Sequence, residues 1–302
     1  MSILITRETR FIVQGITGRE AVNLTRENLD YGAKIVGGVT PGRAGRDVYG
    51  VPVYDCVRDV VTREGRIEGS VVCVPPAFTR DAVFEAIENG IGIIVVVTEN
   101  VPRREVAQMV ELAGLRGARI IGPNCLGIIS PDEAKMGGIG GPAANTRQAY
   151  RKGEIGVMSR SGGMTTEIAS TLSAAGLGQS TCVSIGGDAI IGTTYAELMP
   201  LFEADPETRA IVIYSEPGGR MEAELAAWVT EHACRLPIVA FMAGRFMDEM
   251  KGMRFGHAGT IVEGAEDTTA EKIARMRAVD ISVAERIEEI PGLLQKRLAQ
   301  AG

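Results

Sequence analysis

Short apolar runs of strand length recur along this 302-residue chain. Each ends in a turn rich in glycine, serine or proline and is followed by a stretch of helical periodicity. Residues 11–14 (Phe-Ile-Val-Gln), the turn Gly15-Ile16-Thr17-Gly18 and residues 19–29 make the first such unit. Strands joined through helices must run parallel, with right-handed crossovers and helices on both faces, so this alternation admits few folds other than α/β. Strands buried on both faces read as near-continuous apolar runs, as residues 91–97 do. Ligands of such sheets bind beyond the carboxyl ends of the strands. In the first half, the turns at 15–18, 40–46, 75–76 and 98–102 are therefore where chemistry is expected.

The first half offers further strands at 33–39, 70–76 and 119–122, and helices at 80–88 and 103–117. Residues 130–153, with Gly-Gly-Ile-Gly-Gly-Pro in their midst, read as a boundary. The length also exceeds what one core usually carries. Two domains are expected, 1–129 and 130–302. In the second, strands are expected at 154–158, 181–185, 210–214, 237–243 and near 280–283. Its helices are expected at 164–175, 193–202, 220–234 and the C-terminus.

A net charge of −6 argues against a nucleic-acid partner. No run reaches the ~18 apolar residues of a membrane span, and the N-terminal residues lack a signal-peptide core. The five cysteines are scattered with no C-x-x-C pair. That pattern predicts reduced thiols in a cytoplasm, without a disulfide frame or a metal site.

The turn at 15–18 is not G-x-G-x-x-G, but a helix start after a glycine turn exposes amides that hold phosphate. A tight turn without a ligand is the alternative. The second strand ends in Thr40-Pro41-Gly42-Arg43-Ala44-Gly45-Arg46, where a dinucleotide enzyme would carry an acidic residue for the ribose. Two arginines there favour a nucleotide with an additional phosphate, such as coenzyme A, over NAD. In the second half Ser159-Arg160-Ser161-Gly162-Gly163 forms another strand–turn–helix anion cradle. Glu216 stands at a strand's carboxyl end. The chain has two histidines. His232 falls on or beside an apolar helical stripe and reads as structural. His257, in Arg254-Phe255-Gly256-His257-Ala258-Gly259, lies among glycines that let a ligand approach the ring. A helix start, a carboxylate and an accessible imidazole together fit a phosphorylated histidine, with Glu216 fixing its tautomer.

In order along essentially the whole chain, the opening Met-Ser-Ile-Leu-Ile, Gln14-Gly15-Ile16-Thr17-Gly18, Val36-Gly37-Gly38-Val39-Thr40-Pro41-Gly42, Ile121-Gly122-Pro123-Asn124-Cys125, Ser159-Arg160-Ser161-Gly162, Gln179-Ser180-Thr181-Cys182, Ile185-Gly186-Gly187-Asp188 and Gly256-His257-Ala258-Gly259 resemble the succinate–CoA ligase α-subunit family. The resemblance implies a Rossmann-like CoA-binding domain followed by a flavodoxin-like ligase domain. It implies that an acid, CoA and ATP or GTP with Mg2+ give acyl-CoA, the nucleoside diphosphate and phosphate, through an acyl phosphate and a phosphohistidine. The nucleotide would be bound mainly by a separate β subunit of ATP-grasp fold, in an αβ or α2β2 assembly.

Carried over by position, the phosphohistidine falls on His257 and its supporting glutamate on Glu216. CoA contacts fall on Thr17, Gly18, Arg19, Glu20, Arg43, Val97, Thr98 and Glu99. Phosphate contacts fall on Ser159, Ser161, Gly162 and Gly163, and a substrate contact on Thr166.

Some positions depart from the family. Arg43 replaces a lysine and Thr166 a tyrosine, Ser215-Glu216-Pro217 replaces Gly-Glu-Ile, and residues 245–251 lack the family's Thr-Ala-Pro-Lys-Gly. The Ser-Gly-Gly-Met and Phe-Gly-His forms look closer to the homologous region of ATP-citrate lyase. Succinate is the expected acid, with malate, citrate or another di- or tricarboxylate as alternatives. A non-catalytic CoA-binding regulator is the alternative from another class.

Overall fold

The computed structural model describes residues 2–250, 252–253, 256–262, 264 and 267–301. Met1, Lys251, Arg254 and Phe255, which belong to stretches singled out above, lie outside the described residues.

The first part of the chain folds in the order β1 (Arg10–Gln14), α1 (Arg19–Tyr31), β2 (Lys34–Val39), β3 (Asp47–Val48), β4 (Val51–Tyr54), α2 (Val57–Glu64), β5 (Gly69–Val72), α3 (Pro76–Glu88), β6 (Ile93–Val96), α4 (Arg103–Arg116) and β7 (Arg119–Ile121). These strands form one sheet in the order β3-β4-β2-β1-β5-β6-β7. Apart from the short β3, which pairs antiparallel to β4, the strands wind outwards from β1 in both directions, as in dinucleotide-binding folds. Val71, Val72, Ile94, Val95 and Val96 are fully buried, because helices cover both faces of the sheet. The second of the two prolines that end β5 is also the first residue of α3, where its fixed φ suits a helix start and its missing N–H costs no intrahelical bond.

The second part follows as β8 (Gly127–Ser130), β9 (Ala134–Met136), α5 (Ala143–Ala149), β10 (Lys152–Ser159), α6 (Gly162–Ala174), β11 (Gln179–Ser184), α7 (Tyr195–Ala204), β12 (Ala210–Ser215), α8 (Met221–His232), β13 (Ile238–Met242), a 3-10 turn (Arg245–Glu249), α9 (Thr269–Ala278), β14 (Ser282–Ala284) and α10 (Ile290–Ala301). Its sheet runs β14-β13-β12-β10-β11-β8-β9. The five parallel strands β11-β10-β12-β13-β14 have the flavodoxin order, whose switch point lies between β10 and β12. Ser159 ends one of these strands and Glu216 follows the other.

Three features differ from the expectations. Residues 47–64 fold as a hairpin and a helix, and residues 269–278 as a helix, where no element was foreseen. The second sheet is mixed, because β8 pairs antiparallel to both β11 and β9. The division expected at 129/130 therefore cuts through β8, and part of the expected linker is a strand of the second sheet. The cause is a close glycine crossing that reads as loop in the sequence. Gly127 (φ +100°) and Gly137 (φ +116°) let two backbones approach so closely that a Cβ on Gly127 would lie 2.1 Å from the Met136 carbonyl oxygen. His232 is exposed, with its ring stacked on Trp228 at 4.7 Å, so it lies beside the apolar stripe of α8 and not on it.

The carboxyl ends of the two sheets meet. Gly122 N–H donates to the Ile185 carbonyl (3.2 Å) and Gly187 N–H to that of Asn124 (3.1 Å). The Thr193 hydroxyl donates to the Ile120 carbonyl at 2.7 Å. Among the described residues no helix is long and apolar enough to cross a membrane, and no cluster of His, Cys, Asp and Glu has the makings of a metal site. All five thiols are free.

Candidate active site

Glu216 leaves the sheet directly after β12, and its side chain is buried beneath the loop that returns from the 3-10 turn. Its carboxylate accepts the N–H of His257 Nδ1, with oxygens at 2.8 and 2.9 Å. A carboxylate can only accept there, so Nδ1 carries the proton and the Nε2 lone pair is left free. This hydrogen bond raises the pKa of His257 above the ordinary 6.5. Partial burial opposes it, the charges of Glu216 and Asp188 add to the rise, and Arg160 lowers it.

The ring lies flat over Gly187, where a Cβ would stand 2.4 Å from His257 Cγ. Its own loop is held by Thr260, whose N–H (3.1 Å) and hydroxyl (2.7 Å) both donate to the His257 carbonyl.

His257 opens onto a cavity of about 230 Å³ lined also by Val97, Glu99, Asn124, Cys125, Leu126, Ser161, Gly162 and Gly163. The imidazole thus shares one space with the N-terminus of α6. Ser161 caps that helix, its Oγ accepting from Met164 N–H at 3.3 Å. Gly162 permits close packing, since a Cβ there would strike Leu126 at 2.2 Å. The Ser159 hydroxyl donates to the Ser161 carbonyl and accepts from the Ser161 N–H. Ser159 therefore shapes the turn and is itself fully buried. The amide end of a helix facing an imidazole is an arrangement that holds an anion on the ring.

A second pocket of about 750 Å³ lies at the edge of the first sheet, lined by Gly15, Thr17, Gly18, Pro41, Cys73, Val74, Pro75, Phe78 and their neighbours. Here α1 starts at Gly18 with no side chain capping it, so its first-turn amides are left for a ligand. Gly15 (φ +85°) brings the turn against β5; a Cβ would lie 2.5 Å from the Cys73 carbonyl oxygen. Amides without a cap beside mostly apolar walls suit a ligand that has both phosphates and an apolar arm, as coenzyme A does. The two pockets are neighbours, because the Thr98 hydroxyl donates to the Val74 carbonyl (2.8 Å) and β5 and β6 are adjacent.

Not every expected residue lines a pocket. Arg19 is exposed and paired with Glu20 at 3.2 Å. The Arg43 N–H donates to Asp55 at 3.1 Å, and its position lies on the exposed loop beside the larger pocket. Thr166 shares a 2.9 Å hydrogen bond with the hydroxyl of buried Tyr150 and does not line the His257 cavity. Sequence reasoning did not assign roles to Arg160, Asp188 or Asn124. Arg160 is almost wholly buried against the His257 loop, donating through Nη2 to the Asp188 carbonyl at 2.9 Å. A Cβ on Gly259 would lie 2.3 Å from that nitrogen. Asn124 donates to Asp188 Oδ1 at 3.1 Å. The available signals were an arginine directly after a strand and an asparagine in a glycine turn.

A family model described as a CoA binding domain matches residues 6–100, and one described as CoA-ligase matches residues 158–281. The succinate–CoA ligase [ADP-forming] subunit alpha 2 of Archaeoglobus fulgidus is 44% identical over 297 residues, covering 96% of this chain and all of the relative. An ADP-forming sulfoacetate-CoA ligase subunit of Bilophila wadsworthia is 42% identical, over 99% of this chain and all of the relative. The ATP citrate lyase of Methanosaeta concilii superposes on 98% of this chain with a TM-score of 0.91 at 23% identity, a likeness of fold. This chain spans about half of that longer protein. With both domains matched and relatives of this identity along its full length, the chain belongs to the succinate–CoA ligase α-subunit family, the CoA-binding subunits of ADP-forming acid–CoA ligases.

Proposed function

We propose that this subunit carries the phosphoryl group of the ligase reaction on Nε2 of His257, with succinate as the acid. The observation that carries the reading is the Glu216–His257 contact opening onto the start of α6. With Nδ1–H held by Glu216, the Nε2 lone pair attacks the γ-phosphorus of ATP or GTP. The bond to the bridging oxygen breaks and the nucleoside diphosphate leaves. The ring then carries a positive charge that Glu216 balances, while the amides after Ser161 hold the phosphoryl oxygens. The carboxylate of the acid attacks the phosphorus, giving an acyl phosphate and returning the electron pair to Nε2. The thioester forms as the CoA sulfur attacks the acyl carbonyl and phosphate leaves, the thiol proton passing to water. The larger pocket, through Thr17, Gly18 and the Arg43 loop, holds CoA, and Val97 to Glu99 bridge it to His257.

On this reading the nucleotide and Mg2+ come on a β partner of ATP-grasp fold, as αβ or α2β2, in the cytoplasm; that relatives are subunits of ADP-forming ligases supports a partner. The CoA-holding unit then ends near Ile121 and the ligase unit begins at Gly127, where sheet membership changes. A second acid is favoured by two observations. Thr166 faces Tyr150 instead of the cavity, and relatives at 40–42% identity are sulfoacetate–CoA ligase subunits.

The test is to co-purify the chain with its β partner, incubate with γ-labelled ATP and assay a panel of carboxylic and sulfonic acids. Acid-labile label on His257, absent in His257→Ala and discharged by the true substrate with CoA, is expected. Label that survives in His257→Ala would end the proposal, and a chain that binds CoA but takes no label would be a regulator.

A further inference from the structure

Helices α8 and α9 pack against each other, and each places one charged residue on its buried face. On α9 the buried positions are Thr269, Lys272, Ile273 and Met276; on α8 they are Glu222, Leu225 and Ala226. Lys272 and Glu222 thus stand where helical spacing calls for apolar side chains. Both side chains are essentially inaccessible, at 2% and 1% exposure, and they pair at 2.7 Å.

The lysine does more than meet its counter-ion. Its ammonium also donates to the carbonyl of Glu216 at 3.0 Å and to that of Gly218. An ammonium has three donors, and all three are used. These carbonyls belong to the turn that leaves β12 with the carboxylate facing His257. The same turn supports the histidine loop. Gly218 (φ +83°) lies so close beneath it that a Cβ would fall 2.3 Å from the Gly259 carbonyl oxygen and 2.7 Å from that of Ile261. Two carbonyls aimed into a helix interface must find donors. Lys272 supplies them, and Glu222 neutralises the charge this brings inside.

We propose that Lys272, neutralised by Glu222, is a positioning residue that fixes the Glu216 turn and so holds His257 Nδ1 against the carboxylate. It acts through the backbone of 216–218 and touches neither the ring nor the cavity. Its catalytic meaning rests on the role proposed for His257, but its effect on the imidazole can be read without any turnover. The charged groups around that ring are Glu216 directly after β12, Arg160 from the turn after β10, Asp188 from the turn after β11 and Glu99 from the turn after β6. None of these side chains is itself replaced by a change at 272 or 222.

The decisive variant is Lys272→Met with Glu222→Leu. Replacing a buried ion pair by apolar residues of similar size costs less than removing one partner alone, so the stability lost is chiefly that of the two carbonyls left without donors. The full chain is labelled with 15N-histidine and the His257 imidazole is followed against pH. We expect a folded chain with a lowered melting temperature and a His257 midpoint lower by at least about 0.5 pH unit as its carboxylate loses alignment. With the β partner and labelled ATP, the rate of His257 labelling should fall about tenfold. Glu222→Gln, which keeps the lysine and its carbonyl bonds, should leave the His257 midpoint closer to the parent than the double variant does. A folded double variant with a parental His257 midpoint overturns the proposal. So does a double variant that no longer folds, since the pair would then hold the core and not the turn. A shifted midpoint in a chain that is never phosphorylated would keep the positioning role and discard the proposed chemistry.

Discussion

The turn after β1 and the turn after β10 occupy equivalent places in their sheets, yet they are built differently. After β1, the turn is Gly15-Ile16-Thr17-Gly18, α1 begins without a side-chain cap, and the space beside it is large and mostly apolar. After β10, the turn is Ser159-Arg160-Ser161, the helix is capped by a serine, and the space in front of it is small and shared with groups from the other sheet. The same supersecondary unit therefore borders a large pocket in one domain and a small one in the other. The difference lies in a few turn residues and in what the facing sheet contributes. At the second site, that contribution includes Val97, Glu99 and Asn124 from the first half of the chain.

The strongest way to separate the two seats is to disable the imidazole and leave the broad pocket intact. Glu216→Gln keeps the shape and loses the carboxylate whose hydrogen bond, and then whose charge, raise the His257 pKa. Labelling from ATP in the presence of the β partner should slow by about 10²-fold, while CoA affinity measured by calorimetry stays at the parent value. The pH dependence has a defined sign. A neutral ring is the nucleophile, so the parent's labelling rate rises with pH through a midpoint above 6.5, and the variant's midpoint moves down. In stability the raised pKa works the other way. The contact's contribution is complete below the imidazole's unfolded value and is lost as pH rises through the folded one. Parent and variant should accordingly differ most in melting temperature in acid and converge in alkali. An unchanged pH midpoint would show that the carboxylate does not control the ring.

Much of this arrangement was legible in the residues. His257 among glycines, Glu216 after an apolar strand and Ser159–Gly163 before a helix are local patterns, and each names a place at a sheet edge. What stayed hidden was anything carried by distant contacts. Lys272 lies in a stretch where no element was foreseen, and its partners, Glu222 and two carbonyls, are about fifty residues away in the chain. Arg160 looked like part of a turn, although it is buried against a loop a hundred residues away. The β8–β9 hairpin was read as linker because its glycines serve a close backbone crossing, which sequence alone does not distinguish from flexibility. Thr166 was assigned to substrate by position, but its partner in the fold is Tyr150.

The converse experiment closes the broad seat and leaves the narrow one. Gly15 has a positive φ of 85°, and a Cβ there meets the Cys73 carbonyl oxygen at 2.5 Å and Val74 at 3.0 Å. Gly15→Ala must either strain the turn or push β5 away, at a cost of about 1–3 kcal/mol. CoA affinity should fall at least about tenfold, which corresponds to ~1.4 kcal/mol, with labelling of His257 unchanged. Gly163→Ala is the matched control at the other seat, since none of the described residues lies within 4 Å of its added methyl and its φ is ordinary. If both substitutions slow labelling equally, the pockets are not separable and the comparison fails.

The smallest effects test why one helix is capped and the other is not. Ser161 accepts from Met164 N–H, so Ser161→Ala removes a cap worth about 1 kcal/mol and should lower the melting temperature by about 2–4 °C. Gly18 is in an extended conformation, φ −70° and ψ 147°, that a serine can adopt. Among the described residues, the one neighbour within 4 Å of an added Cβ is the Gly15 carbonyl oxygen at 3.2 Å. Gly18→Ser would give α1 the cap that α6 already has. If the uncapped amides exist to be bound by ligand, the new hydroxyl competes for them, and CoA binding weakens severalfold without loss of stability. If CoA binding is indifferent to Gly18→Ser, the bare helix start is a consequence of the glycine turn and not its purpose, and the phosphates are held by the arginine loop instead.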